Sequence, residues 1–311
     1  MSSILYNKPK TDKVLTKVVR GYDLDQEFSG HHLFPDIDVD EFAGKIVMFG
    51  KEAYIVINTK RAPGETVRGI GITYSSNDYV LENRLLEALS PEEFIEIGNK
   101  NNIAVKAQAV TAVYRAMRLE GEYDKAILAN NADHYASTNK TTLSGSSLWN
   151  DPTANVLEQV EDAKSTIRAK TGRYPNVFHL DADGFAGLKR NEAIKEQFKY
   201  SGKASINTEM LADYFGIEKV VVGRAIRAAS LTDDFVDLWA DNSILAYVPP
   251  KKLQSQASPS FGYNYVHRGF PIVEKEYYDK SDRSWHNPVL FRDKAIITDG
   301  GAGFLFINTT G

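Results

Sequence analysis

Residues 103–129 constrain the fold more than any other stretch. Ile103, Ala107, Val110, Tyr114, Met117 and Gly121 recur at helical spacing, with Lys106, Arg115 and Arg118 placed mostly elsewhere. At 1.5 Å per residue such a helix is a rod of roughly 40 Å, longer than a typical globular helix. Its small residues let strands or another helix pack closely along it, so it reads as a spine around which the rest must be arranged.

The segments before the rod predict reach rather than bulk. The first forty or so residues scatter charges among isolated apolar positions (Tyr6, Leu15, Val18, Val19) and read as an extended arm, ordered by lying across something else. Residues 45–58 and 67–74 are rich in β-branched and aromatic side chains and flank a turn-like 60–65, which predicts a hairpin. At about 3.3 Å per residue its arms overhang a body of this size, and a two-stranded ribbon is marginal without support from a neighbour. Ser90, Pro91, Glu92 and Glu93 predict a helix start with Ser90 as N-cap and a short helix to about 99.

Beyond the rod the character changes. Helices over 153–170, 182–189, 192–198 and 209–215, capped by Asp181 and Thr208 where they can be, alternate with short apolar strands at 176–180 and 219–222. That alternation predicts a small α/β unit over 151–229. Strand runs at 243–248, 261–267, 272–277, 289–298 and 304–308 follow with few helices of their own and are expected to build a sheet against the earlier rod. The fold class is α+β.

Composition removes whole classes of function. Cysteine is absent, which excludes disulfides, thiolate catalysis and cysteine-held metals. A mean hydropathy of −0.35 and a lysine-bearing opening with no apolar run behind it predict neither membrane span nor secretory signal. The formal charge of −4, without a cluster of Lys and Arg, argues against a dedicated DNA-reading protein, although enclosing nucleic acid needs a wall rather than affinity.

Each candidate reaction centre has a structural explanation. His31 and His32 with Asp36, Asp38 and Asp40 suggest a calcium loop, but Glu41 stands where the loop needs glycine, and a solvated acidic turn is expected. Gly69-Ile70-Gly71 and Gly300-Gly301-Ala302-Gly303 complete neither phosphate-binding fingerprint and are read as a bulge or tight turn. His179, Asp181 and Asp183 could be drawn as an acid/base group, but Asp181 suffices as an N-cap. No catalytic, metal or cofactor residue is assigned, and no cofactor is expected. Reach without a reaction centre favours an assembly subunit.

The order of parts resembles the major capsid protein of tailed bacteriophages, whose fold is shared with encapsulin shells. The stretches that carry the likeness are Gly50-Lys51-Glu52-Ala53-Tyr54, Thr59-Lys60-Arg61-Ala62-Pro63, residues 75–84, AKTGRYP over 169–175, Lys199-Tyr200-Ser201-Gly202, Val220-Val221-Val222-Gly223, Ala246-Tyr247-Val248-Pro249-Pro250 and Ser260-Phe261-Gly262-Tyr263. The resemblance implies an N-terminal arm (1–43), an extended hairpin loop (44–76), a peripheral domain with the spine helix (77–150), an axial α/β domain (151–229) and a peripheral β-sheet return with axial-domain strands (230–311).

It also implies an icosahedral shell of hexamers and pentamers around double-stranded phage DNA, assembled in the bacterial host cytoplasm and found in the virion capsid. Tyr6, Leu15 and Arg20 are then expected to lash across a neighbour. Lys60, Arg61, Pro63, Glu65 and Arg68 are assigned to contact with an adjacent subunit, and Asp279, Asp282, Arg283 and Trp285 to an exposed loop near threefold junctions. No fused scaffolding segment is expected, which leaves a separate scaffold or none, with room for portal and cement proteins; no Lys–Asn isopeptide bond and no membrane partner are expected. A cargo-loaded encapsulin-like shell and a soluble α/β enzyme are the alternatives, and particle size, contents and turnover distinguish them.

Overall fold

A computed structural model describes residues 10–22, 27–47, 60, 74–100, 103–199, 206–228, 230, 232–255 and 258–311. Among the described residues the first element is a short helix. Helix α1 (Lys13–Arg20) is capped by Asp12, whose carboxylate accepts from the Val14 and Leu15 amides, and it turns Leu15, Thr16 and Val19 inward. Eight residues are too few for periodicity to stand out in sequence, and burial of Leu15 and Val19 stabilises a helix that could not persist alone. A single 3-10 turn, Gly30–His32, leads to strand β1 (Asp36–Val39). The acidic stretch is therefore a strand rather than a solvated turn: Ile37 and Val39 point into the protein, while Asp36 and Asp38 point out.

Strands β2 (Ala43–Val47) and β3 (Tyr74–Val80) pair antiparallel as the base of the expected ribbon. Its distal part, with the glycine-bearing return run, lies outside the described residues. Strand β4 (Glu82–Pro91) then runs directly into helix α2 (Glu92–Lys100). Ser90 is thus a buried strand residue, not the N-cap predicted for it. The ladder to the last long strand continues through Pro91, and Glu92 N donates to Arg283 O, so tertiary pairing overrides the local start signal. The predicted spine is helix α3 (Val105–Asn130), 26 residues and about 39 Å long.

The α/β unit comprises β5 (Lys140–Thr142), α4 (Val156–Thr171), β6 (Val177–Asp181), α5 (Ala182–Leu188), α6 (Glu192–Phe198), α7 (Thr208–Phe215) and β7 (Lys219–Gly223). Gly172 ends α4 at φ 70°, the left-handed conformation that glycine adopts without penalty. Asp181 caps α5 as expected, whereas α7 is capped by Asn207 rather than Thr208. The remaining strands are β8 (Ile226–Arg227), β9 (Val236–Asp237), β10 (Asn242–Ala246), β11 (Gly262–His267), β12 (Ile272–Val273), β13 (Tyr277–Asp279), β14 (Ser284–Ile297) and β15 (Gly303–Ile307).

Two sheets result. One follows the order β1-β11-β14-β12, with β4 and β13 also on β14; the other follows β5-β15-β10-β6-β7. The five C-terminal runs are therefore divided between the sheets instead of all lying against the rod. Strand β6 is buried at every position, so it needs neighbours on both edges; β7 pairs parallel on one side and β10 antiparallel on the other. Helix α3 covers one face of the first sheet through Val110, Tyr114 and Met117, with Tyr114 edge-on to Phe291. A second core, including Trp149, Val160, Phe178, Phe215 and Phe306, fills the α/β unit. Among the described residues, no helix is long and apolar enough to cross a membrane.

Candidate assembly surfaces

The leading segment contacts its own chain first. Leu15 is 9% exposed in the core, and Arg20 donates Nε to the Pro271 carbonyl at 3.0 Å and Nη2 to the Gly269 carbonyl. Thr16 Oγ1 accepts from Val273 N, and Asp12 N donates to Val273 O, which ties α1 to the edge of the first sheet. The helix thus turns Leu15 into the core of its own chain. Val14 and Val18 are the exposed apolar side chains of α1. Lys60 is exposed; Tyr6, Arg61, Pro63, Glu65 and Arg68 lie outside the described residues.

The β13–β14 turn presents charge on a tightly held frame. Asp279 accepts from the amide and hydroxyl of Ser281, which hold its carboxyl below the usual range. Arg283 adopts φ 51°, uncommon for a residue with a Cβ, and its guanidinium lies 3.4 Å from Glu92. Trp285 is half-buried beneath the Lys106 ammonium, 4.3 Å from the ring centre, and Lys106 also pairs with Glu276 at 2.6 Å. His286 reaches Glu87 through Nδ1 and Asp282 through Nε2, both at 3.0 Å. Its hydrogen bond to Glu87, followed by that to Asp282, raises its pKa against the opposing effect of burial. Donor atoms of Asp279, Asp282 and His286 lie within 4.8 Å of one another, a spacing a metal ion could use, but a doubly protonated imidazole satisfies the carboxylates without one. Asp282 and Arg283 remain exposed.

Apolar exposure marks a surface that the sequence reading did not assign. In β4, Ala88 and Ser90 point inward, while Leu85 and Leu89 point to the opposite face at 56% and 52% exposure. Just beyond, Phe94 and Ile97 lie on one face of α2 at 61% and 55%. The signal was the density of leucine at 85, 86 and 89, which breaks strand alternation and so concealed the strand. Among the described residues β4 pairs only with β14, leaving an edge of unpaired backbone groups beside these side chains.

The suggested chemistry is dispersed. Asp36 pairs with Asn264 and Asp40 with Arg268, so the His31, His32 and aspartate set does not converge. Asp181 accepts from Gly184 N, Ser243 Oγ and Thr309 Oγ1, while Asp183 is exposed on α5 and His179 bonds to Ser29. Gly300–Ala302 is a 3-10 turn capped by Asp299, and Gly69 to Gly71 lie outside the described residues. A groove of about 1050 Å³ beside α3, with Phe28, Leu119 and Phe235 among its lining residues and Arg115, Arg224 and Arg227 around it, has an apolar floor; its one carboxylate, Glu27, pairs with Arg115.

Against known proteins, a search of family models finds no match. The chain is 32% identical over 294 residues to the major capsid protein of Burkholderia phage BcepMu, covering 93% of this chain and 94% of that protein. It superposes on the crystal structure of a phage-related protein from Bordetella bronchiseptica RB50 with a TM-score of 0.85 and 32% identity, covering 97% and 98% of the two chains. A capsid structure of cyanophage P-SCSP1u shares the fold at a TM-score of 0.55 and 8% identity, over 90% of this chain and 87% of that one. A spine helix braced between two sheets, charged and apolar surfaces left open on one subunit, and near full-length identity to a phage coat protein place the chain in the major capsid protein family of tailed bacteriophages, as a structural subunit of the capsid shell.

Proposed function

We propose that copies of this chain form hexamers and pentamers that close into an icosahedral shell around double-stranded DNA, assembled in the host cytoplasm. The chain acts as wall rather than catalyst. In this reading residues 1–43 are the arm, 44–76 the extended loop, most of 77–150 and of 230–311 the peripheral domain, and 151–229 the axial domain completed by β5, β10 and β15. The observation that most supports it is the half-exposed or more exposed set Leu85, Leu89, Phe94 and Ile97, apolar surface that a lone soluble subunit gains nothing by presenting. Symmetric closure covers such patches and sums many weak identical contacts into a stable container. Lys60, Arg61, Pro63, Glu65 and Arg68 from the loop, Tyr6 from the arm, and Asp279, Asp282, Arg283 and Trp285 from the β13–β14 turn supply further contacts.

Negative-stain microscopy of the expressed protein, followed by nuclease treatment and extraction of particles from infected cells, tests the reading. Large shells holding nuclease-resistant double-stranded DNA are expected. Small closed oligomers, or smaller shells filled with a cargo protein, would overturn it in favour of an enzyme or an encapsulin-like compartment. A single monomer-sized band after boiling is expected on a denaturing gel; a ladder would reveal covalent cross-links.

A further inference from the structure

Three of the six histidines in the chain gather where the Gly30–His32 turn is wedged between α3 and the second sheet. Ser29 N, Gly30 N and Trp239 Nε1 all donate to Glu122 Oε1 at 2.9 Å, and Glu122 is 2% exposed. The Ser29 hydroxyl lies 2.8 Å from His179 Nε2 and 3.3 Å from Glu122 Oε1. His179, on β6, is fully buried against Trp239, with ring centres 3.9 Å apart, and its Nδ1 has no hydrogen-bond partner. The His31 and His32 rings lie tilted at 52° with centres 3.8 Å apart, and His32 Nδ1 lies 3.3 Å from Lys219 Nζ on β7. Packing leaves no slack: a Cβ on Gly30 would stand 2.6 Å from Glu122 Oε2 and 3.1 Å from the Lys125 side chain.

The balance of charge around this site is unfavourable to any added proton. Lys219 faces it from β7, the buried Lys125 flanks Gly30 from α3, and Arg118 of α3 interacts with Glu122, so these side-chain cations are in place before any histidine ionises. The facing carboxylate is Glu122, and it is already shared among the Ser29 amide and hydroxyl, the Gly30 amide and the Trp239 indole. Along β6 and the chain end, Asp181 is held by Ser243 and Thr309, and Asp241 by Thr309 and Thr310.

We propose that this junction is an acid-released latch, in which protonation of His179 and His32 drives the 29–32 turn off α3 and uncouples the leading segment from the second sheet. The cost of ionising either residue in place supports it. Burial, then the charges of His32 and His31, push His179 down to about 3; burial, then His31 and Lys219, push His32 down to about 3. In water a histidine titrates near 6.5, so the latch is fully closed above that value. Below it, the open form gains about tenfold per pH unit for each histidine released, until the closed-state values are reached. In a shell this would let acid loosen each subunit between its two sheets; that consequence rests on the capsid reading, whereas the latch belongs to the single chain.

Hydrogen–deuterium exchange on the full-length purified protein, normalised at each pH to unstructured peptide rates, tests the latch between pH 7.5 and 4.5. Protection of peptides covering residues 27–39 is expected to fall at least tenfold per pH unit below about 6 while β14 stays protected, and His179→Gln with His32→Gln should flatten the slope. Should the double variant fail to fold, His32→Gln alone is expected to remove one histidine's share of the slope. Protection of 27–39 that ignores pH, falls in step with β14, or falls as steeply in the folded variants would overturn the proposal. None of these results depends on particle formation, so a failed latch leaves the shell assignment standing.

Discussion

Arg84 donates Nε to Asp293 Oδ1 at 3.0 Å, diagonally across the β4–β14 ladder. The same guanidinium reaches Asp124 at 2.5 Å and Glu120 at 3.1 Å on α3, so one side chain fastens the spine to the sheet. The side chains of Arg84 and Asp293 are 10% and 5% exposed, which makes the pair effectively buried. Replacing Arg84 by Met should destabilise the protein by about 3–5 kcal/mol, because the buried Asp293 loses the cation that hydrogen-bonds to it; replacing both by apolar residues should cost far less. Denaturant midpoints at constant slope measure both, and equal losses in the single and double variants would refute the pairing argument.

Leu85→Glu and Leu89→Glu test the open face of β4. Both side chains are already half exposed, so subunit stability should change by no more than about 0.5 kcal/mol. Shell formation, followed by light scattering and microscopy, should be abolished, since each copy would bring a charge into the surface it must cover. Normal shells from the double variant would show that this face stays open in the particle.

Gly223 ends β7 under the indole of Trp239. A Cβ there would stand 2.5 Å from the Trp239 ring and 2.8 Å from His179 Cε1, closer than packed atoms tolerate. Gly223→Ala is expected to cost about 1–3 kcal/mol and to lower the thermal midpoint by several degrees. An unchanged midpoint would mean that the indole moves aside freely.

His286 should give a pH dependence opposite to that of the latch. Its pKa is raised in the folded chain by the hydrogen bond to Glu87 and then by that to Asp282, so its stabilisation is complete below the ordinary histidine value and is lost as pH rises through the folded one. Wild-type protein should therefore lose stability on the alkaline side relative to Glu87→Gln. Urea midpoints across pH 6 to 9 provide the comparison, and parallel curves would exclude the clamp.

The long spine, α4 with its glycine stop, the buried strand β6 and the strand β7 were legible because each carries its own signal: apolar spacing, a cap, or a β-branched run. Helix α1 was not, since Leu15 and Val19 make a helical face only when α3 and β12 stand beside it. Strand β4 was hidden because Leu85, Leu86 and Leu89 fill positions where alternation calls for polar residues, a pattern understood once the chain is seen as a part of something larger. The candidate surfaces divide the same way. The charged turn at 279–285 was pointed to by the resemblance to a phage coat protein, whereas Leu85, Leu89, Phe94 and Ile97 required knowing which strand face is left uncovered.

By itself the sequence determined what depends on neighbours along the chain: a rod about 40 Å long, an α/β unit after it, no cysteine chemistry, and an order of segments resembling a phage coat protein. Only the tertiary structure decided which sheet takes β10 and β15, that Leu15 serves its own core, and that the 31–32 histidines come together with the buried His179 where Ser29 bridges it to Glu122. Those outcomes rest on contacts between residues far apart in the chain. Burial and desolvation depend on everything packed around a side chain, and no local pattern encodes that.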